Sequence, residues 1–210
     1  MSNTFRYCLI GILIVVAWLV VASGALTFAR PVPTTSAQGS QRHDEPANQS
    51  RQHSIVGDPQ LTVLQLNAIL AAYGSPLAGQ GQLVYDLGRK YTISSDYALA
   101  IWLHESALGK SPLAQETLNP GNIRCMEGLA CDQGFARMGS WAEGMERWYR
   151  LIRYGYVEGR VTQGIVGHNC TTIEQIIQVY APKADSNDPD GYIQIVIRTV
   201  ETWRSGKVVA

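Results

Sequence analysis

Glu105 is the residue of this chain whose position most directly predicts chemistry. It follows an apolar run at residues 98–103 and shares one helical face with Ala98 and Ile101, which places it at the end of a buried helix. Burial and the negative end of the helix dipole both disfavour a carboxylate, so the pKa of this carboxyl group should rise. A carboxyl group that keeps its proton near neutral pH can donate it, which predicts a general acid. A buried glutamate paired with an arginine, or held by backbone donors, is the structural alternative.

The charge composition argues against a nucleic-acid partner. Lys and Arg total 17 among the 210 residues, Asp and Glu also total 17, and the formal net charge is zero. The sequence has no stripe of basic residues, so the electrostatic footprint of a nucleic-acid-binding protein is missing. A neutral or mixed-charge polymer such as a glycan fits this composition better. We predict no cofactor and a monomer.

The first 59 residues differ from the rest of the chain. Residues 7–29 carry no charge and are long enough to cross a bilayer, so residues 1–29 are predicted to be a transmembrane signal-anchor. A cleaved signal peptide is the alternative, because small residues at 22–24 and 27–29 fit a cleavage site. The following domain would then be exported, either held at the cell membrane by a single span or secreted. Residues 30–59 are polar and proline-containing, and we predict a disordered linker.

Residues 60–210 are predicted to form one domain of the mainly α (α+β) class. Apolar periodicity and capping residues favour helices near 61–72, 82–91, 96–108, 141–154, 172–180 and 191–203. Residues 110–140 contain prolines, glycines and two cysteines, and they predict a small loop and β-hairpin lobe. A groove between such a lobe and the helices is a common place for a ligand.

The cysteines predict a disulfide in the hairpin lobe. Cys125 and Cys131 are close in sequence, and an exported domain would allow them to oxidise. Pairing of Cys170 with either of them stays open. Zinc is disfavoured because His168 beside Cys170 is not a recognisable ligand set. The run at residues 185–190 (DSNDPD) lacks the glycine and terminal glutamate of a calcium loop, so we predict a capped helix start there and no metal site.

Five short motifs in a fixed order give the chain a family resemblance. They are residues 97–109 (YALAIWLHESALG), 118–125 (LNPGNIRC), Gly134-Phe135 before Ser140-Trp141, 180–183 (YAPK) and 203–206 (WRSG). In this order they resemble the peptidoglycan-cleaving glucosaminidase family (endo-β-N-acetylglucosaminidases) of the lysozyme-like superfamily. The resemblance spans roughly residues 75–206 and implies a lysozyme-like helical domain.

The resemblance also implies roles for individual residues. Glu105 matches the general acid of the family. Asn119 and Asn122 match a turn that borders the groove and contacts substrate, although a purely structural turn is the alternative. Tyr180 matches a tyrosine near the cleft, against burial at a helix end. Trp141 is placed to stack on a sugar ring, against a role as a core tryptophan at the start of a helix.

The second carboxylate of a glycosidase is left open by the sequence. Such a group usually lies roughly 5–10 Å from the acid. Glu127 and Asp132 fall in the hairpin lobe, where relatives often place theirs, and Glu116 is a weaker candidate. We therefore predict a cell-wall glycoside hydrolase that cleaves β-1,4 bonds of N-acetylglucosamine-containing peptidoglycan. A lytic transglycosylase using Glu105 alone, substrate-assisted hydrolysis, and a non-catalytic glycan-binding domain are the alternatives.

Overall fold

The computed structural model describes residues 53–160 and 167–210. Within these ranges the chain forms seven α-helices, one π-helical segment, one 3-10 turn and a two-stranded hairpin. In chain order they are α1 (Val63–Ala72), α2 (Gly81–Tyr91), α3 (Ser95–Ser106), α4 (Pro112–Thr117), β1 (Cys131–Asp132), β2 (Phe135–Ala136), α5 (Trp141–Arg150), the π-helix (Leu151–Val157), α6 (Ile173–Tyr180), the 3-10 turn (Lys183–Asp185) and α7 (Pro189–Arg204). The predicted mainly α domain with a small hairpin lobe is what these residues form.

Helix α3 is the centre of the domain. Its residues 95–102 are all buried, and α2 and α7 pack against it. Asp96 in its first turn is fully buried, and its Oδ2 lies 2.7 Å from Nε of Arg204 at the end of α7. Asp96 also accepts hydrogen bonds from Ser94 Oγ and from the backbone N–H of Tyr97. A buried charge that is both paired and hydrogen-bonded in this way ties α7 to the start of α3.

The outer helices begin at side-chain caps that the sequence supplies. Thr62 and Thr172 each form a capping box with a glutamine three residues later, and Ser140 caps α5. The α1–α2 pair contacts α5 through α2, and α6 packs on α7. Asp188 caps α7 through a hydrogen bond from the N–H of Gly191, as predicted for the DSNDPD run.

The hairpin lobe is small and cross-linked. β1 and β2 pair antiparallel through a turn at residues 133–134. Cys125 and Cys131 form a disulfide with a Cα–Cα distance of 5.4 Å, which confirms the predicted pairing. Cys170 is a buried free thiol, so the pairing that the sequence left open for it does not form.

The domain begins before the predicted boundary at residue 60. Ile55 is fully buried, and the backbone of residues 54 and 56 forms bridges with Thr172 and Ile93. The last part of the predicted linker is therefore packed on the domain, because one apolar side chain and two backbone bridges fix it. Residues 1–52, which include the predicted anchor and the rest of the linker, lie outside the described residues. Among the helices of the described ranges, none is long and apolar enough to span a membrane.

Helices α3 and α5 end earlier than predicted, and one short helix was not predicted. Helix α3 ends at Ser106 rather than at residue 108, because Ala107 turns into the left-handed conformation at φ 52°. The short helix α4, capped by Ser111 with Pro112 at its first position, was not predicted. The predicted helix at 141–154 becomes π-helical from Leu151 onward. A π-helical turn often lies at a functional site, and this one faces the cavity described next.

Candidate active site

Glu105 lies in the wall of a cavity of about 400 Å³. The cavity is bounded by the end of α3, the loop that follows α4, the hairpin, the π-helix and the connection from α6 to α7. Its lining includes Glu105, Asn122, Ile123, Arg124, Phe135, Leu151, Tyr156, Val179, Tyr180, Ala181, Pro182, Asp185 and Asn187. The volume is within the range of small-molecule sites, and the lining mixes aromatic rings with a few polar groups.

The loop at residues 119–122 is fastened to the end of α3. Ser106 Oγ donates a hydrogen bond of 2.7 Å to the backbone oxygen of Pro120 and accepts one from the N–H of Gly109. Gly121 lies against Trp148 so closely that a Cβ atom there would be 2.1 Å from Trp148 Cδ1. Ser106 and Gly121, one from each of the first two sequence motifs, therefore bring the loop beside Glu105.

Asn119 holds this loop together from within the protein. It is fully buried, its Oδ1 accepts from the N–H of Ile123, and its Nδ2 donates to the backbone oxygens of Ile123 and Ala136. Asn119 does not line the cavity, so the structure does not place it where it could bind a substrate as predicted. Both polar atoms of its side chain bond to the backbone. Asn119 therefore has the structural role in the turn that the sequence analysis gave as the alternative.

The carboxyl group of Glu105 is partly buried and held by two neutral donors. Tyr192 donates from its hydroxyl group to Oε1 at 2.7 Å, and Asn122 donates from Nδ2 to Oε2 at 3.2 Å. Desolvation by burial raises the pKa of Glu105, and the two hydrogen bonds together with the charge of Arg124 oppose this rise without cancelling it. No ion pair to Glu105 is found among the described residues. The raised pKa is the direction that a proton donor needs.

Asn122 reaches Glu105 from a strained backbone. Its φ is +49°, which is uncommon for a residue other than glycine. Nδ2 also donates to the backbone oxygen of Glu105 at 2.8 Å, which fixes the orientation of the amide because that oxygen can only accept. Its Oδ1 is buried and has no hydrogen-bond partner among the described residues. Strain and an unsatisfied acceptor at one residue are features typical of a functional site.

Tyr192 was missed by the sequence analysis. It lies in the first turns of α7, is almost fully buried, and stacks on His104 with 3.7 Å between ring centroids. Its contact with Glu105 joins residues 87 positions apart. No local pattern marks a tyrosine for this contact, because the contact depends on how α7 crosses α3.

The Tyr192 hydroxyl group gives a prediction about pH. Its hydrogen bond stabilises the charged form of Glu105 and so lowers the pKa of that group. In Tyr192→Phe this stabilisation is lost, the pKa of Glu105 rises further, and the alkaline limb of the rate profile should move to higher pH. The measurement is the pH dependence of kcat for the variant and for Tyr85→Phe, a control whose ring does not line the cavity. An alkaline limb that stays in place or moves to lower pH would contradict this assignment.

Tyr180 lies in the cavity wall, where the resemblance placed it. Its hydroxyl group donates to the backbone oxygen of Gly121 and accepts from Trp148 Nε1 at 3.2 Å. Burial raises the pKa of Tyr180 well above the usual value, so the hydroxyl group stays neutral. It links the end of α6 to the loop beside Glu105, and its ring lines the space that a ligand would occupy.

Several predicted site residues lie away from this cavity. Trp141 is half-buried at the start of α5 and approaches Gly109, so it serves as packing rather than as a wall of the site. Glu127 is exposed in the disulfide-closed loop. Asp132 and Glu116 both contact Arg137, at 3.3 and 3.1 Å. None of the four lines the cavity.

Two charged residues that were not predicted do line the cavity. Arg124 precedes the disulfide, and Asp185 ends the 3-10 turn between α6 and α7. Asp185 is the one carboxylate other than Glu105 in the lining formed by the described residues. No group of three or more His, Cys, Asp or Glu side chains in the described ranges is arranged to hold a metal ion.

A helical domain with a hairpin lobe, and with a glutamate at the end of its buried central helix, has the lysozyme-like architecture. The chain is similar to two crystal structures of S. aureus autolysin E. One is a complex with the muropeptide NAM-L-Ala-D-iGlu, and the other is a catalytic glutamate-to-alanine mutant with the disaccharide NAG-NAM. Each of the two is 15% identical to this chain and superimposes with a TM-score of 0.54. The matched region covers 75% of this chain and 72% of the autolysin E chain.

These similarities show the fold that the sequence motifs implied. No protein-family model and no curated protein matches the sequence.

Proposed function

We propose that this chain is a cell-wall glycoside hydrolase that cleaves β-1,4 bonds of N-acetylglucosamine-containing peptidoglycan, with Glu105 as the general acid. The observation that carries the proposal is a carboxyl group with a raised pKa at the wall of an open cavity, held by neutral donors and by no ion pair among the described residues. A purely structural buried glutamate would be expected to have a cationic partner and no opening beside it.

The choice of ligand is supported by the autolysin E structures. Those proteins were crystallised with a muropeptide and with a NAG-NAM disaccharide, so their fold accommodates peptidoglycan fragments. The cavity of this chain carries the aromatic rings of Phe135, Tyr156 and Tyr180, which offer apolar faces to sugar rings. Its few polar groups at Glu105 and Asn122 are suited to orienting a glycosidic bond.

The contacts around Glu105 suit both halves of a proton transfer. Before transfer, the protonated carboxyl group can donate to the glycosidic oxygen, and the bond from that oxygen to the anomeric carbon breaks as the proton arrives. After transfer, the carboxylate keeps the hydrogen bonds from Tyr192 and Asn122, and the charge of Arg124 lies nearby. The site therefore stabilises the charge that forms on the acid.

Asp185 is our candidate for the second carboxylate, in place of Glu127, Asp132 and Glu116. It lies on the α6–α7 side of the cavity that holds Glu105. If it activates the attacking water or stabilises the cationic sugar, Asp185→Asn should lower kcat at least about tenfold. The measurement is steady-state release of reducing ends, with Asp190→Asn as the matched control outside the cavity. An unchanged rate would leave Glu105 as the only acid and favour substrate assistance or transglycosylation.

The direct test is the product of the reaction. The full chain should clear a suspension of purified peptidoglycan, and mass spectrometry should show fragments with N-acetylglucosamine at the reducing end. Anhydro sugars at the fragment ends would instead indicate a lytic transglycosylase. Binding to peptidoglycan without release of either product would favour a non-catalytic glycan-binding domain.

We also infer that the domain acts outside the cytoplasm and that residues 1–29 anchor it to the membrane. The uncharged segment at 7–29 supports the anchor, and the disulfide of the hairpin lobe supports an oxidising compartment. Protease treatment of intact cells should digest the domain, and membrane fractionation should retain it. Recovery in the cytosolic fraction, or protection from the protease, would contradict the inference.

A further inference from the structure

We propose that Arg124, stacked on Phe135, is a subsite for carboxylate groups carried by the substituents of the glycan, so that the cleft prefers acidic over neutral sugar polymers. The inference rests on the proposed function and names the feature of the substrate that this chain would recognise. Arg124 lies in the cavity wall that the hairpin lobe forms. The mechanism proposed above uses this residue only through its charge.

The position of Arg124 is set by the hairpin. Residues 124 and 135 are joined by an antiparallel bridge, and Cys125 is held by the disulfide and by a hydrogen bond from its N–H to Gly134 O. The guanidinium Cζ lies 4.9 Å from the centroid of the Phe135 ring. Contact with the aromatic ring favours this position of the Arg124 side chain, which lines the cavity.

The donors of Arg124 remain available for a ligand. Its side chain forms no ion pair and donates no hydrogen bond to any residue of the described ranges, and it is exposed. Arg137, in the same lobe, instead pairs with Glu116 and Asp132. A stacked guanidinium group leaves its N–H edge open, and that edge matches the two oxygens of a carboxylate.

The charge of the cavity points to an anionic ligand group at this wall. Arg124 is the only cationic residue in the lining that the structure describes, and it faces a site whose other charged groups are Glu105 and Asp185. Arg124 is close enough to Glu105 for its charge to lower the pKa of that carboxyl group. A carboxylate bound at Arg124 would offset this charge, so an acidic substrate would help Glu105 to keep the proton that it donates.

Peptidoglycan offers carboxylates from two sources. The lactyl group of N-acetylmuramic acid is a free carboxylate once the stem peptide has been removed, and the stem peptide carries its own carboxylates while it is attached. A polymer of N-acetylglucosamine alone has neither. These three substrates therefore separate recognition of a carboxylate from recognition of the sugar backbone.

The test compares Arg124→Gln, Arg124→Lys and the control Arg137→Gln in the full chain. Substrates are N-acetylglucosamine oligomers, glycan strands stripped of peptide, and strands that keep it. Arg124→Gln should lower kcat/KM on at least one carboxylate-bearing substrate about tenfold more than it does on the neutral oligomers, which report any effect of the Arg124 charge on Glu105 itself. Arg124→Lys should lie between, since it keeps the charge but loses the stacked fork, and Arg137→Gln should match the wild type. A defect confined to stripped strands assigns the lactyl group, and one confined to peptide-bearing strands assigns the stem peptide.

Equal losses on neutral and acidic substrates, or no loss on either, would overturn the subsite. If the wild-type chain cleaves none of the three, the proposed function fails, but binding still decides the inference. Calorimetric titration of the Glu105→Gln chain with NAM-L-Ala-D-iGlu and with neutral oligomers should then show an affinity for the acidic ligand that Arg124→Gln removes selectively. Equal affinities with and without Arg124 would overturn it there too.

Discussion

Replacement of Glu105 by glutamine is expected to lower the rate of peptidoglycan cleavage by roughly a thousandfold while the domain remains folded. The amide cannot donate a proton to the glycosidic oxygen, so the leaving group would depart as an unprotonated alkoxide. The replacement fits the site, because a glutamine oxygen facing Asn122 Nδ2 accepts its hydrogen bond and the Nε2 group then donates to the Tyr192 hydroxyl oxygen. The measurement is the release of soluble fragments, with thermal unfolding as the check on folding.

The matched control for this variant is Glu127→Gln. Glu127 is exposed and lies outside the cavity, so its replacement should leave both rate and stability unchanged. A fully active Glu105→Gln variant would end the assignment of the general acid. A loss of activity in Glu127→Gln as large as that in Glu105→Gln would instead assign the second catalytic carboxylate to Glu127, as the resemblance suggested.

The central helix and its acid could be predicted because their signals are local. An uninterrupted apolar run marks a buried helix, and an ionisable group on its inward face should have a perturbed pKa. The same holds for the cap at Asp188, which depends on residues within one turn. The disulfide between Cys125 and Cys131 belongs to this class too, since it closes a short loop.

The remainder of the site could not be predicted, because it arises from packing between distant segments. Tyr192 reaches Glu105 only because α7 packs against α3, and Asp185 reaches the cavity only because the α6–α7 connection borders it. Arg124 was passed over because a single arginine in a loop is usually solvated. Its proposed role as a ligand subsite depends on the Phe135 ring that it contacts and on the cavity that it lines.

The hairpin lobe shows how one residue type can serve two purposes. An asparagine in a tight loop is equally suited to contacting a sugar and to replacing missing backbone hydrogen bonds. Asn119 and Asn122 are three residues apart, yet the first turns inward to the backbone while the second turns toward Glu105. The direction of each side chain is set by the three-dimensional path of the loop, which periodicity does not encode.

Asn119→Ala is expected to reduce the free energy of unfolding by on the order of 3 kcal/mol. The substitution leaves the N–H of Ile123 and the backbone oxygen of Ala136 buried without the partner that Asn119 supplies. Each such group costs about 1–3 kcal/mol when its partner is removed. The loop that carries Asn122 should loosen as a result, so kcat should fall together with stability. Urea unfolding followed by tryptophan fluorescence measures the first effect, and steady-state kinetics measures the second.

Asn187→Ala is the matched control for this change. Asn187 is an exposed amide in the lining of the same cavity, and its Nδ2 donates only a long hydrogen bond of 3.3 Å to the backbone oxygen of Pro182. Its removal should change the free energy of unfolding by no more than about 0.5 kcal/mol. If Asn119→Ala instead unfolds at the wild-type urea concentration and only raises KM, Asn119 contacts the substrate after all. The inward-facing amide would then not be what holds this loop beside Glu105.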